Sequence, residues 1–186
     1  MFIIKNYYYL YIENTRSLNF NLIRKNKKIC IIYRNNDEQE SLDKLNNLRK
    51  QCNKKGFKLY IANNLQLAVN CKANGLYLSS YNKRKYLQKK INFIGSAHNF
   101  KEIYEKQKQG CKTILLSRLF KTNYKNKKDY LGVVKFNLLI KKYNSNILPL
   151  GGINSSNLLK LNLISSNGFA FLSELKKKPV ISNWLF

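Results

Sequence analysis

Two prolines and no glycine–serine tract occur in the chain's 186 residues. Nothing in it reads as a linker, so one domain spanning residues 1–186 is the simplest organisation, built around one hydrophobic core. No apolar run approaches the ~18 residues that a membrane-spanning helix requires. The apolar N-terminal stretch is interrupted early by Lys5 and Asn6. It has no basic leader and no small-residue cleavage site, so it reads as a strand and not as a signal peptide. The four cysteines, Cys30, Cys52, Cys71 and Cys111, form no C-x-x-C pair and lie beside no histidine. That excludes a zinc site of ordinary spacing and predicts buried free thiols in a reducing, cytoplasmic compartment. A single histidine, His98, leaves few options for imidazole chemistry.

Acidic side chains are also scarce: 9 against 35 lysines and arginines, a formal charge of +26. Such an excess suggests a polyanion partner. The lysines, however, are spread along the whole chain among many asparagines, as a general compositional bias spreads them. The densest basic segments, residues 83–90 and 119–130, match no RNA-recognition or helix-turn-helix signature. Charge alone produces weak, salt-sensitive binding to nucleic acid. A basic RNA-associated protein is therefore a lesser alternative, with no specific nucleic acid and no membrane as partner. A hydrophobic fraction of 44% supports a packed interior and argues against disorder.

Short apolar, β-branched or aromatic runs alternate with amphipathic segments. Strands are predicted at 7–12, 29–33, 59–62, 76–78, 91–94, 113–116, 147–150 and 169–172. Leu42, Leu45, Leu48 and Cys52 fall on one helical face. Phe100, Ile103, Tyr104 and Gln107 repeat at helical spacing on another, with Gly110 closing that helix. Strands alternating with helices predict a parallel sheet, and eight of them predict a closed (β/α)₈ barrel, the TIM fold. Such barrels typically take ~250 residues. Some helices must therefore be abbreviated, the clearest candidates being the first connection, residues 14–28, and the C-terminal segment.

In such a barrel the chemistry collects at the C-terminal ends of the strands. Those ends carry Arg34, Asn63 and Asn64, Ser79 and Ser80, Ser96 and His98, then Ser117, Arg118 and Thr122, then Gly151 and Gly152, and finally Ser173. In ILPLGGINSSNLLKL, residues 147–161, an apolar run ends in two glycines and is followed by hydroxyl and amide residues. A helix starting near Ser155 or Ser156 would add its positive dipole end to uncovered backbone N–H groups, forming a phosphate cradle. An ordinary strand-to-helix turn explains the glycines equally well.

The set of strand-end segments resembles the thiamine phosphate synthase family, which includes the TenI-type thiazole tautomerases. NGLYLSS is similar to that family's A-D-G-V-H-L-G-Q, IGSAHN to G-V-S-x-H-[SN], and LSRLFKTNYK to G-P-[IV]-F-x-T-x-T-K. LPLGGINSSN is similar to the A-I-G-G-I segment, and GFAFLSEL to G-V-A-V-[VI]-S-A-[IL]. The resemblance covers roughly residues 30–175. It implies a cytoplasmic enzyme of thiamine biosynthesis that couples an aminopyrimidine diphosphate to a thiazole phosphate, giving thiamine phosphate and pyrophosphate. By position it implies that Gly152 and Ser173 hold the thiazole phosphate. Thr122 and Lys125 lie near the phosphorylated substrates, with Lys125 as a point charge. Arg34, Asn63 and Ser96 face the diphosphate substrate.

The departures from the pattern concern the metal. The family's two magnesium-binding aspartates fall at Asn64 and Asn82. Ile32 and Asn36 replace the glutamine and lysine of Q-x-R-E-K, and Tyr124 replaces a threonine. Magnesium favours carboxylate oxygen. The expectation is no protein-held metal, with magnesium arriving only on the diphosphate. A TenI-like tautomerase or a metal-independent phosphate-binding relative is the alternative. For the tautomerase His98 is the acid/base group, since an imidazole both accepts and donates a proton near neutrality. Without that role, His98 belongs to the cap of a helix starting near Asn99.

Overall fold

A computed structural model describes residues 5–23, 28–35, 40–87, 91–122 and 129–172. Eight strands are ordered as in the chain: β1 (Tyr7–Ile12), β2 (Ile29–Tyr33), β3 (Lys58–Ala62), β4 (Gly75–Leu78), β5 (Asn92–Ala97), β6 (Thr113–Ser117), β7 (Asn146–Leu150) and β8 (Gly168–Leu172). Every neighbouring pair is parallel, and β8 returns to β1 with Ala170 opposite Tyr9, closing the barrel. The predicted strands are all present. The largest difference is at β5, where Gly95, Ser96 and Ala97 continue the ladder against Ile114, Leu115 and Leu116. Small residues carry little strand propensity of their own, so pairing with β6 decides their conformation.

Strand alternation divides the packed residues into two layers. Tyr9, Tyr11, Cys30, Ile32, Tyr60, Tyr77, Ile94, Leu115, Leu148, Leu150 and Ala170 fill the barrel interior. Their neighbours in sequence, among them Leu10, Ile31, Leu59, Ile61 and Leu76, face outward against the helices. Burying each such aliphatic side chain contributes about 1.5–3 kcal/mol. Tyrosines are bulky for this interior, and glycine makes the space. A Cβ added at Gly75 would lie 2.5 Å from Tyr60 Cε1 and closer still to the carbonyl oxygen of Asn92.

Among the described residues four α-helices cover the outside: α1 (Leu42–Lys55), α2 (Leu65–Asn70), α3 (Phe100–Lys108) and α4 (Gly132–Ile140). Helix α1 buries Leu45, Leu48 and Cys52 as predicted, while Leu42 lies at the exposed edge of that face. Gly56, at φ 76°, ends it in the left-handed conformation that glycine adopts without strain. Helix α3 differs from its predicted orientation. It buries Ile103 and Lys106, while Phe100 and Tyr104 are each 57% exposed. The space beneath α3 comes from Gly95 on β5, and the methylene stem of Lys106 fills it. Gly110 closes the helix, its N–H donating to the carbonyl of Gln107.

The barrel is short because several connections lack an α-helix. Between β1 and β2 there is a 3-10 turn, Phe20–Leu22. Between β7 and β8 there is a 3-10 segment, Leu158–Leu163. The described residues after β4, 79–87, contain no helix. The abbreviation expected near the C-terminus lies outside the described residues. All four cysteines are free and buried. Burial pushes the thiols of Cys30, Cys52 and Cys111 up to about 12, so they stay protonated. No helix among the described residues is long and apolar enough to cross a membrane.

Gly75→Ala should lower the unfolding free energy by about 1–3 kcal/mol, the usual cost of overpacking a core. The check is the urea midpoint at unchanged m-value, and a neutral effect would mean that both the Asn92 carbonyl and Tyr60 shift to make room.

Candidate active site

The C-terminal mouth of the barrel is assembled by continuing the strand alternation. Tyr11 and Tyr77 face inward, and Arg34 and Ser96 follow the inward residues Ile32 and Ile94 by two positions. The Tyr11 hydroxyl donates to the Tyr77 oxygen at 3.0 Å, and the two rings meet edge to face at 5.4 Å. Ser96 and the positive charge of Arg34 both act on the Tyr77 phenol, and Arg34 acts on Tyr11 as well. Burial pushes both phenols above their ordinary range, with Arg34 opposing, so the hydroxyls are neutral near pH 7. Arg34 is half-buried, and its Nε is buried without a hydrogen-bond partner among the described residues. An unpaired buried donor is costly, and a ligand acceptor would relieve that cost.

Asn63 follows β3 with a left-handed φ of 56°. Its Oδ1 accepts three hydrogen bonds at 3.0 Å, from Ser79 N, Ser79 Oγ and Asn82 Nδ2. Its Nδ2 donates to the hydroxyl of the exposed Tyr81. Asn64 caps α2, its Oδ1 accepting the N–H of Leu67 at 2.9 Å. Asn82 is buried and donates through Nδ2 to Asn63 and to the Tyr86 hydroxyl, while its Oδ1 accepts Arg84 N. The amides at 63, 64 and 82 are thus engaged within the protein.

His98 lies at the end of β5 with 45% of its side chain exposed. Its backbone N–H and Nδ1 both meet Glu102 Oε2, at 2.8 and 3.0 Å. Asn99 is the N-cap of α3, and its Oδ1 accepts Glu102 N. His98 therefore takes part in the cap of α3, with Nε2 left on the imidazole's other side. Burial pushes the Glu102 carboxyl up, but the hydrogen bonds and charge of His98 outweigh it and hold it below the usual range.

Beyond β6 and β7 two loops run side by side. Leu119 N donates to Leu150 O, and Phe120 N to Gly151 O. Arg118 reaches Thr122 Oγ1 at 3.1 Å, and its stem lies against Gly151. Gly151 and Gly152 have φ values of 91° and 71°. The helix expected near Ser155 or Ser156 is absent. The 3-10 segment starts at Leu158, and Asn154, Ser156 and Asn157 bond one another and Gly152 O in front of it. A Cβ at Gly152 would lie 2.5 Å from the carbonyl carbon of Phe120 and 2.6 Å from Lys121 O. Gly152 is needed for close backbone approach, so a bulkier residue there would strain the loops as well as cover any cradle. Ser96, among the last paired residues of β5, and Arg34, Asn63, His98, Thr122 and Gly152, which follow strand ends, all lie at one mouth of the barrel. Lys125 and Ser173 lie outside the described residues. Sequence reasoning passed over Tyr11 and Tyr77, although period-two alternation through β1 and β4 could have found them.

A family model described as thiamine monophosphate synthase matches residues 21–175. The chain belongs to the thiamine monophosphate synthase family. A thiamine-phosphate synthase of Prochlorococcus marinus is 28% identical over 134 residues, 69% of this chain. The chain spans 38% of that relative's length. Among solved structures, thiamine phosphate pyrophosphorylase from Pyrococcus furiosus superposes with a TM-score of 0.73 at 14% identity, covering 96% of this chain and 91% of the other. The corresponding protein from Bacteroides thetaiotaomicron gives 0.61 at 13% identity, covering 95% and 91%. At such identities the two structures speak for the fold alone.

The magnesium implied by the thiamine monophosphate synthase family does not fit the residues present. The two positions matched to its carboxylates carry amides already committed to a helix cap and a loop network. No cluster of three His, Cys, Asp or Glu side chains occurs among the described residues. Calorimetric titration of the protein alone with magnesium should give no heat above that of the buffer. A carboxylate at 82 would set an acceptor against Asn63 Oδ1, so Asn82→Asp should lose about 1–3 kcal/mol of stability, whereas Asn64→Asp retains the cap.

The lowered carboxyl of Glu102 has a signed consequence. Its stabilising contribution is complete above the unfolded value of about 4.3 and is lost as pH falls through the lower folded value. Urea midpoints between pH 6 and pH 2 should fall further for the wild type than for Glu102→Gln.

Proposed function

We propose that this chain couples an aminopyrimidine diphosphate to a thiazole phosphate in the cytoplasm, releasing thiamine phosphate and pyrophosphate. Convergence carries this proposal. Arg34, Asn63, Ser96, Thr122 and Gly152, at the ends of β2, β3, β5, β6 and β7 in the family's order, share one mouth of a closed parallel barrel. In this reaction the bond between the pyrimidine methylene carbon and the diphosphate oxygen breaks, the oxygen keeping the electron pair. The thiazole nitrogen then forms the new bond to that carbon.

The protein's task is to stabilise charge separation and to align the two rings. Arg34 is suited to the diphosphate, because its buried Nε lacks a partner and it follows the end of β2 at the barrel mouth. Ser96, buried at the end of β5, presents its hydroxyl close to the Tyr77 phenol. Asn63 offers its NH2 group, its oxygen being saturated by three donors. The β6 and β7 loops, with Thr122, Arg118 and Gly152, serve the thiazole phosphate; by the family pattern Ser173 joins Gly152 on it, and Lys125 supplies a point charge to the pyrophosphate. Magnesium enters this scheme only as the counter-ion of the diphosphate substrate, and the cationic residues take the larger share of the electrostatics.

The second candidate is thiazole tautomerisation at His98. The observation favouring it is the orientation of the imidazole by Glu102, which leaves Nε2 for proton transfer. On this proposal His98→Ala changes coupling less than tenfold and abolishes tautomerisation if that is the activity.

Product formation from both phosphorylated substrates, with and without magnesium, tests the proposal. Arg34→Gln should lower kcat/KM for coupling about 10²–10³-fold, as removal of a charge-stabilising group does. A wild-type protein that forms no thiamine phosphate but isomerises the thiazole would replace coupling by the second candidate.

A further inference from the structure

Lys106 is a charged residue with no exposed surface. Its stem occupies the groove left by Gly95, where an added Cβ would lie 2.8 Å from Lys106 Cδ. Its ammonium emerges under the β4–β5 connection. There Nζ donates to Asn82 O at 2.7 Å and to Gln109 Oε1 at 2.9 Å. Gln109 in turn donates to the same Asn82 carbonyl at 3.0 Å and to Arg84 O at 2.8 Å. A buried ammonium is tolerated only when it is well paired, and the backbone carbonyl it binds, Asn82 O, belongs to a connection whose described residues contain no helix.

From this carbonyl the network continues through Asn82 to Asn63. Both amide orientations are set by backbone donors, which can only donate: Arg84 N to Asn82 Oδ1, and Ser79 N to Asn63 Oδ1. Asn82 Nδ2 therefore points at Asn63 Oδ1, and Asn63 Nδ2 points outward to Tyr81. We propose that Lys106, with Gln109, is a positioning residue: it tethers Asn82 and thereby locks the Asn63 amide with its NH2 group presented at the barrel mouth. Lys106 itself touches no reacting atom. Its effect on a substrate rests on the coupling reaction proposed above, whereas the tether does not.

The test is Lys106→Met, which keeps the stem and removes the ammonium. Hydrogen exchange measured by NMR should accelerate about tenfold or more at the Ser79 and Arg84 amides, while the Leu67 amide, held by Asn64 on α2, stays as in the wild type. The side-chain NH2 signals of Asn63 should shift in the same variant. In the coupling assay KM for the aminopyrimidine diphosphate should rise about tenfold, with kcat and the KM for thiazole phosphate within twofold of wild type. Gln109→Leu should reproduce the pattern and serves if Lys106→Met does not fold. Unchanged exchange at Ser79 and Arg84, or equal acceleration of all slow amides, would overturn the tether. Local acceleration with unchanged KM in an active enzyme would overturn the positioning role. If the wild type does not couple the substrates, the reaction assignment fails, and the exchange pattern still decides the tether.

Discussion

Closure of eight parallel strands is the constraint on which the rest of this molecule depends. Once β8 pairs with β1, every second residue of each strand is committed to a narrow interior and its neighbours to the helix layer. The interior is filled largely by tyrosines and aliphatics, with Gly75 yielding space to Tyr60. Near the mouth the same alternation brings in polar groups, and Tyr11, Tyr77, Ser96 and Arg34 meet there because each is the next inward position on its strand. Packing and site are two ends of a single pattern.

A second consequence follows from the shortness of the chain. Three connections lack an α-helix among the described residues, and side chains hold them instead. Lys5 binds the carbonyls of Ile164 and Ser166 at 2.6 and 3.0 Å, Lys55 binds Ile23 O, and Lys106 binds Asn82 O. Asn137 joins α4 to the segment before β8 through both its nitrogen and its oxygen. Lysine and asparagine are long or bifunctional hydrogen-bonding residues, able to satisfy loop carbonyls that a helix would otherwise satisfy internally. A composition that looks like excess charge thus has structural uses at several loops.

The asparagines at 63, 64 and 82 bring these themes together. Amides donate as well as accept, so Asn63 and Asn82 interlock directly with Ser79, while Asn64 caps α2. A carboxylate at 82 would set an acceptor against Asn63 Oδ1, a repulsion that the amide NH2 avoids. The amides at 63 and 82 leave this network uncharged, in keeping with the chain's scarcity of acidic residues.

The sequence by itself determined the eight strands, the parallel barrel and the family, because buried parallel strands are short apolar runs and their ends carry ordered motifs. It also located Arg34, Asn63, Ser96, Thr122 and Gly152 at one mouth, since direction along a parallel strand fixes the end at which its last residue lies. Tertiary structure alone decided the rest. Phe100 and Tyr104 are apolar at helical spacing, yet Ile103 and Lys106 face the barrel because Gly95 leaves a groove that a lysine stem fills. The expected helix after Gly152 gave way to a 3-10 segment, because Asn154 and Asn157 bind the turn and the loops touch at Phe120. The partners of Asn82 and Lys106 lie 19 and 24 residues away in the chain. Which donors and acceptors meet across such separations depends on register and side-chain direction, and no local pattern encodes either.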